Sequence, residues 1–327
     1  MNNGQQPILE ARNLTKHFQA GGVLSRRVVR AVEGASFRLY PGRVTALVGE
    51  SGSGKSTTAR MLARLYDATD GEIFFKGRNI LESRGRRALL HYRSQVQMIF
   101  QDPFSSLNPV HRVRYHLERP LRIHRKAHDK ADLENRVLEL LDRVALTPVE
   151  EFVNKYPHQL SGGQRQRVAI ARALAVEPEV ILADEPISML DVSIRMGILN
   201  LMARLRDEQE IAFLYVTHDI ASARYFADET LVMYAGRMVE GAPSEALIQQ
   251  PQHPYTQLLL SAVPDPARGL RTREGIRVEG EVPDLGELGE GCPFAARCPH
   301  VMARCREAMP PVTHLDRERW VRCYLFD

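Results

Sequence analysis

No stretch of 18 apolar residues occurs anywhere in the 327-residue chain, so no segment reads as a membrane-spanning helix. Cysteine is scarce and unevenly placed: there are four, all within the last 36 residues. The N-terminus, MNNGQQPILE, lacks the basic-then-apolar layout of a signal peptide, and the chain is expected in the cytosol. In that compartment disulfides are disfavoured and clustered cysteines more often bind metal. Strong charge of either sign is also missing. A net charge of +4 argues only weakly for nucleic acid or anionic lipid and fits a normal solvated surface. No internal repeat is visible. What is present is 44% hydrophobic and 26% charged residues, an ordinary globular composition in a chain long enough for more than one compact unit.

ILEARNLTKHF and VVRAVEGASFRLY read as short strands near the start. VTALVGE, Val44 to Glu50, is an apolar strand that meets a glycine-rich turn. KSTTARMLARLY then has helical apolar spacing at Met61, Leu62 and Leu65. VQMIF reads as a strand, and residues 105–174 are mainly helical in pattern. Within them LENRVLELLDRVAL places Val137, Leu138, Leu141 and Val144 on one face. From VILADE to ETLVMYAG, strands and helices alternate, which predicts a parallel sheet with helices on its faces. Beyond Pro251 the pattern weakens, and REGIRVEGEVPDLGELGEG reads as a linker or loop.

GESGSGKST runs from Gly49 to Thr57 and fits the phosphate-loop pattern G-x-x-x-x-G-K-S/T. Gly49, Glu50, Ser51, Gly52, Ser53 and Gly54 form a turn whose backbone N–H groups can face phosphate oxygens. Lys55 supplies positive charge to the β and γ phosphates, and Ser56 a hydroxyl to Mg²⁺. The helix that opens with Ser56 and Thr57 adds its positive dipole end. A chance glycine turn is the plain alternative, and the strand–loop–helix context speaks against it. VILADE puts Asp184 and Glu185 at the carboxyl end of an apolar strand, the edge where open α/β sheets bind ligands. Asp184 is the candidate for holding Mg²⁺ through water, and Glu185 for orienting and deprotonating the attacking water. A helix-capping acid pair is the alternative. His218 ends another apolar strand, in FLYVTHD, where spacing alone leaves its role open.

LSGGQRQRVAIARAL, Leu160 to Leu174, has no generic phosphate-loop explanation. Ser161, Gly162, Gly163 and Gln164 at the start of a helix make a second phosphate-binding terminus. One ATP does not need two such termini from one chain; two chains arranged head to tail would use both. Here the sequence resembles the ATP-binding cassette (ABC) family, whose signature is LSGGQ. The resemblance covers about residues 8–250. It implies an α/β fold of ABC-type P-loop NTPase kind, with an antiparallel β subdomain and a helical subdomain at about 103–175, followed by a small extension at 251–327. It implies that Phe18 stacks on adenine, that Gln101 senses Mg²⁺ and the attacking water, and that His218 contacts the γ phosphate. Ser188 to Asp191 (SMLD) would address the opposite subunit; Met189 stands where the family usually has Ala, and Asp191 is kept. ATP and Mg²⁺ are the implied cofactors.

QDPFSSLNP, HPYTQLLLSAVP and the insertion QAGGVLSRRVVR narrow the likeness. They resemble the dipeptide/oligopeptide permease ATP-binding subunits. That resemblance implies ATP-driven import of di- or oligopeptides or a related solute. The partners implied are a second ABC ATPase subunit, two transmembrane permease subunits and an extracytoplasmic solute-binding protein, with no nucleic acid. The location implied is the cytoplasmic face of the membrane, held there through the permease subunits. Phe104 to Pro109 and the helical region to about Tyr156 should face those subunits, although Phe104 and Leu107 fit internal packing equally well. The rival readings are a soluble non-transport ABC ATPase acting on nucleic acid or ribosomes, and a nucleotide-regulated adaptor without turnover. Only 60 positions separate Gln101 from Ser161, so no long coiled coil splits the cassette. Glu185 and His218 argue against the adaptor. The solute itself is not readable.

The cysteines Cys292, Cys298, Cys305 and Cys323 are separated by five, six and seventeen residues. Four thiolates can close a zinc site or hold a 4Fe–4S cluster. Structural zinc sites more often use tighter pairs. The pattern GC-x-F-x-x-RCP…C…C resembles the iron–sulfur segment of some permease ATPase subunits, which favours the cluster, with zinc as the alternative. Pro293 and Pro299 follow two of the cysteines in a loop-rich stretch with few core formers. Such a region is expected to need a metal staple.

Overall fold

In VTALV every position is buried, because this strand, Val44–Val48, has neighbours on both faces rather than one. It runs parallel to Glu229–Tyr234, with Thr45 opposite Glu229 and Val48 opposite Val232. The computed structural model describes residues 5–20, 27–83, 85–261, 285–286 and 288–327. Within these the chain forms two compact units. Of the described residues, the first takes those within Met1–Ile8, Leu39–Arg43 and Lys76–Leu214, and the second those within Leu9–Arg38, Val44–Phe75 and Tyr215–Asp327.

In the first unit the strands Val96–Ile99 and Val180–Asp184 pair in parallel, Val96 opposite Val180 and Ile99 opposite Ala183. The expected helical region is there. Its main helices are Val113–Ile123, Lys130–Arg143 and Gly162–Leu174. Helix Lys130–Arg143 starts where the Asp129 carboxylate accepts the Asp132 N–H, a side-chain cap that stabilises a helix by about 1 kcal/mol. Its buried stripe is Leu133, Val137, Leu140 and Leu141, continued by Val144. Leu138, expected on that face, is only half-buried, since the stripe follows the 3.6-residue period through Leu133 and Leu140 and leaves Leu138 on its flank. Leu107 is buried in its own subdomain, while Val110 beside it is 70% exposed. Internal packing therefore claims Leu107, and its membrane-facing alternative is set aside; the side chain of Phe104 lies outside the described residues.

In the second unit Leu9–Ala20 pairs antiparallel with Asp70–Phe75, Leu9 opposite Phe75 and Ala11 opposite Ile73. Asp70–Phe75 (DGEIFF) was not anticipated from the sequence. Helix Lys55–Leu62 buries Met61 and Leu62, but Leu65 lies past its end and is 44% exposed. Arg64 there takes a left-handed φ of 55°, which stops the helix. Of the insertion QAGGVLSRRVVR, residues 21–26 lie outside the described residues, as does most of the expected 273–291 linker.

Glu229–Tyr234 turns back through Ala235 and Gly236, both at positive φ (43° and 82°), into the antiparallel strand Arg237–Pro243. That is the two-residue hairpin geometry. The tail then joins this sheet. Trp320–Val321 pairs antiparallel with Gly241 and Glu240, and Thr313–His314 pairs with Trp320–Val321. Phe294, Ala295, Cys305 and Val321 are all buried. The tail thus has more core than its sequence suggests, because it shares the core of the unit it packs on. Burying Phe294 contributes about 1.5–3 kcal/mol. No helix among the described residues is long and apolar enough to cross a membrane.

Candidate functional site

The second unit carries the phosphate loop. Val44–Val48 runs into the turn 49–54, and the helix Lys55–Leu62 starts at Gly54. Gly54 sits at φ 102°, and a Cβ there would lie 2.3 Å from the Ala31 carbonyl oxygen. Only glycine tolerates both conditions. The helix has no side-chain N-cap and no acidic residue in its first turn. No side-chain charge at this helix start opposes its positive dipole end, which favours an anion. Lys55 is 4% exposed. Its Nζ donates to the carbonyls of Gly49 and Glu50, both at 2.8 Å, and to Ser53 Oγ at 3.4 Å. The ammonium stands at the centre of the loop, where phosphate charge would be met. Ser53 is buried, Ser56 and Thr57 are half-buried, and Ser51 and Gly52 are exposed.

The same unit places Phe18 edge-on to Tyr66, centroids 5.6 Å apart, with Lys16 Nζ 5.0 Å from the Phe18 ring. Tyr66 was missed from the sequence, where an isolated Tyr after the helix carries no motif. His218 follows strand Ala212–Thr217 and is exposed. The next residue, Asp219, caps helix Ile220–Phe226 by accepting the Ala221 N–H at 3.0 Å.

The first unit brings Gln101 and Glu185 together. Gln101 Nε2 donates to Glu185 Oε2 at 3.0 Å. Asp184, the last residue of strand Val180–Asp184, is 1% exposed. Glu185 takes φ 45°, a left-handed conformation that costs a non-glycine residue about 1–3 kcal/mol and recurs at functional sites. The turn after it is closed by Ser188, whose Oγ and N–H both donate to the Glu185 carbonyl. The signature helix Gly162–Leu174 begins with a capping box: Ser161 Oγ accepts the Gln164 N–H, and Gln164 Oε1 accepts the Ser161 N–H. A Cβ on Gly163 would lie 2.5 Å from Ile194 Cγ2, so the helix start packs closely on the segment following Asp191. Asp191 is exposed at the start of helix Val192–Gln209, and Met189 is 56% exposed. The departure at Met189 therefore alters a surface and not the fold's interior.

The four cysteines are free of disulfides and line a single cavity, with His253 and Phe294 among the other walls. Burial pushes the Cys292 thiol up to about 12 and raises Cys298 and Cys323 as well. These are thiols that a cation would have to help ionise. Among the described residues, no three His, Cys, Asp or Glu side chains are grouped so as to hold one metal ion. The HPYTQ segment is placed by Glu240, whose buried carboxylate accepts the N–H groups of Gln252 and His253 at 2.8 and 2.9 Å. His253 is fully buried and driven down to about 3 by desolvation, so it is neutral. Its Nδ1 accepts the Tyr255 N–H.

Residues 32–188 match the family described as ABC transporter, and residues 239–305 match the one described as oligopeptide/dipeptide transporter, C-terminal region. The chain is 45% identical over 304 residues to the oligopeptide transport ATP-binding protein OppF of Bacillus subtilis, covering 93% of this chain and 97% of that one. The chain belongs to the ABC transporter family. It is also 40% identical to the dipeptide transport ATP-binding protein DppF of Escherichia coli, covering 99% of this chain and 96% of that one. Among solved structures, a post-hydrolysis dimer of the ATP-binding cassette MJ0796 bound to ADP and Pi superposes with a TM-score of 0.65 at 31% identity. That likeness covers 72% of this chain and 98% of the other. The permease-type C-terminal match takes in Cys292, Cys298 and Cys305 and stops before Cys323.

Proposed function

We propose that this chain is the ATP-hydrolysing subunit of an ABC importer for di- or oligopeptides or a related solute. The observation that carries the reading is a phosphate loop closed around a buried Lys55, in a chain that also pairs Gln101 with Glu185 at the end of an apolar strand. Oligopeptide and dipeptide transport proteins are its near full-length relatives. In this reading residues 1–250 are the ABC domain, with its helical subdomain at about 103–175, and 251–327 the extension. The loop from Gly49 to Thr57 binds the phosphates of ATP, and Phe18, with Tyr66 beside it, takes the adenine. Ser56, Gln101 and Asp184 are the residues that would hold Mg²⁺, which would supply positive charge to the phosphates. Glu185 takes the proton of the attacking water, and His218 contacts the γ phosphate. Positioning and charge stabilisation carry most of the rate. Ser161 to Gln164 and Asp191 serve the nucleotide of a second, related ATPase subunit. The chain works at the cytoplasmic face of the membrane, bound to two transmembrane permease subunits that receive solute from a binding protein.

The test is purification of the tagged chain from its native membrane. Two membrane subunits and a second ATPase are expected to come with it, and the reconstituted complex to take up peptide only with ATP. Recovery with ribosomes or nucleic acid and no membrane protein would overturn the transport reading.

We also infer that Cys292, Cys298, Cys305 and Cys323 hold a 4Fe–4S cluster. A mononuclear zinc site needs its ligands to converge on one point, whereas a cubane offers each thiolate its own iron. Four thiols around one cavity, none of them in a disulfide, support the reading, as does the permease-type segment that carries three of them. Bound there, the cluster would staple the tail. Protein purified anaerobically should be brown and contain about four irons and four sulfides per chain. Stoichiometric zinc with no iron would sink the assignment.

A further inference from the structure

Glu50 is an acid inside a loop read as binding phosphate, and an acid there repels the ligand. Its carboxylate does not stand alone. Arg297 grips it with two nitrogens, Nη1 to Oε2 at 3.0 Å and Nη2 to Oε1 at 3.3 Å. The Arg297 side chain is 12% exposed and that of Glu50 27%, so the pair is partly desolvated and bidentate, unlike an ordinary surface ion pair. Burial works against the arginine's charge, and its hydrogen bonds to Glu50 and Tyr234 outweigh that and raise its pKa. Arg297 Nη1 also donates to Tyr234 Oη at 3.1 Å.

The backbone of Glu50 is held as well. Its N–H donates to Tyr255 Oη at 2.8 Å, and its carbonyl accepts from Lys55 Nζ. Tyr255, Tyr234 and Phe294 pack together, with centroids 4.5 to 5.5 Å apart. Both Phe294 and Arg297 lie between Cys292 and Cys298. The cysteine segment therefore reaches the phosphate loop twice, by charge through Arg297 and by packing through Phe294 and Tyr255.

We propose that Arg297 is a positioning residue for the nucleotide site: it cancels the charge of Glu50 and fixes the phosphate loop, so ATP affinity depends on the cysteine-bearing tail. The inference rests on the reading of Gly49–Thr57 as the nucleotide loop. Equilibrium titration of the full chain with ATP tests it. Arg297→Met keeps the apolar stem and exposes the phosphates to an uncompensated carboxylate. ATP affinity should fall about tenfold, as expected for losing one charge-assisted pair. Adding Glu50→Gln to Arg297→Met should restore most of it, because the repelling charge is gone. Arg297→Lys, which preserves charge without the bidentate fork, should lose only about threefold and guards against a misfolded methionine variant.

A merely structural role predicts lower thermal stability in both Arg297→Met backgrounds and no recovery of affinity by Glu50→Gln. That result overturns the inference, as does an Arg297→Met or Arg297→Lys variant that binds ATP as tightly as the wild type. A wild-type chain that binds no ATP would overturn the nucleotide reading itself, and the inference with it.

Discussion

Glu185→Gln is expected to lower ATP turnover by roughly 10²–10⁴-fold while leaving ATP binding intact, the loss that follows removal of a general base. The substitution keeps the shape of the side chain, and the amide oxygen still accepts from Gln101 Nε2, now 3.0 Å from the carboxylate. What disappears is the oxygen basic enough to receive a proton. The unfavourable φ of 45° at this residue and the turn closed by Ser188 hold the carboxylate where the strand delivers it, and neither depends on its charge. Asp184 is untouched, so Mg²⁺ binding is expected to persist. Phosphate release in the assembled complex and equilibrium ATP binding should be measured on the same preparation. Near-normal turnover would remove Glu185 from the chemistry.

Lys55→Ala is expected to fail one step earlier, weakening ATP binding on the order of 10²-fold. The lysine supplies charge-assisted hydrogen bonds to phosphate, each worth about 1.5–3 kcal/mol, and every 1.4 kcal/mol is about tenfold in affinity. A second loss adds to this. Lys55 Nζ ties together Gly49, Glu50 and Ser53, and without it the loop must be ordered by the nucleotide itself. Titration with ATP separates the two variants: Glu185→Gln binds and does not turn over, Lys55→Ala does not bind at working concentrations. Equal ATP affinities for Lys55→Ala and wild type would place the phosphates elsewhere.

The parts of the site legible in the sequence are those whose chemistry is local. Gly49 to Thr57 must follow one another to make a phosphate loop, Asp184 and Glu185 must end one apolar strand, and Ser161 to Gln164 must open one helix. Burial that depends on where an element ends or which neighbour covers it is not legible in this way. Leu138 and Leu65 look like core in a short window, yet the first is only half-buried and the second is exposed. Asp70–Phe75 carries two acids in six residues. It becomes a strand because Leu9–Ala20 lies beside it, a fact that no local pattern records.

The amino-acid sequence by itself determined the family, the residues proposed for the nucleotide site, and the four thiols that mark the tail, because each of these rests on spacing along the chain. Only the tertiary structure decided what the tail touches. Arg297 and Glu50 are 247 positions apart, and Tyr255 and Glu50 are 205 apart. Trp320–Val321 is a two-residue strand that exists because Glu240 and Gly241 offer it an edge. An ion pair, a hydroxyl on a backbone N–H and so short a strand leave no periodic trace. Their energy comes from a neighbour delivered by the fold, so they appear only once the chain has closed on itself.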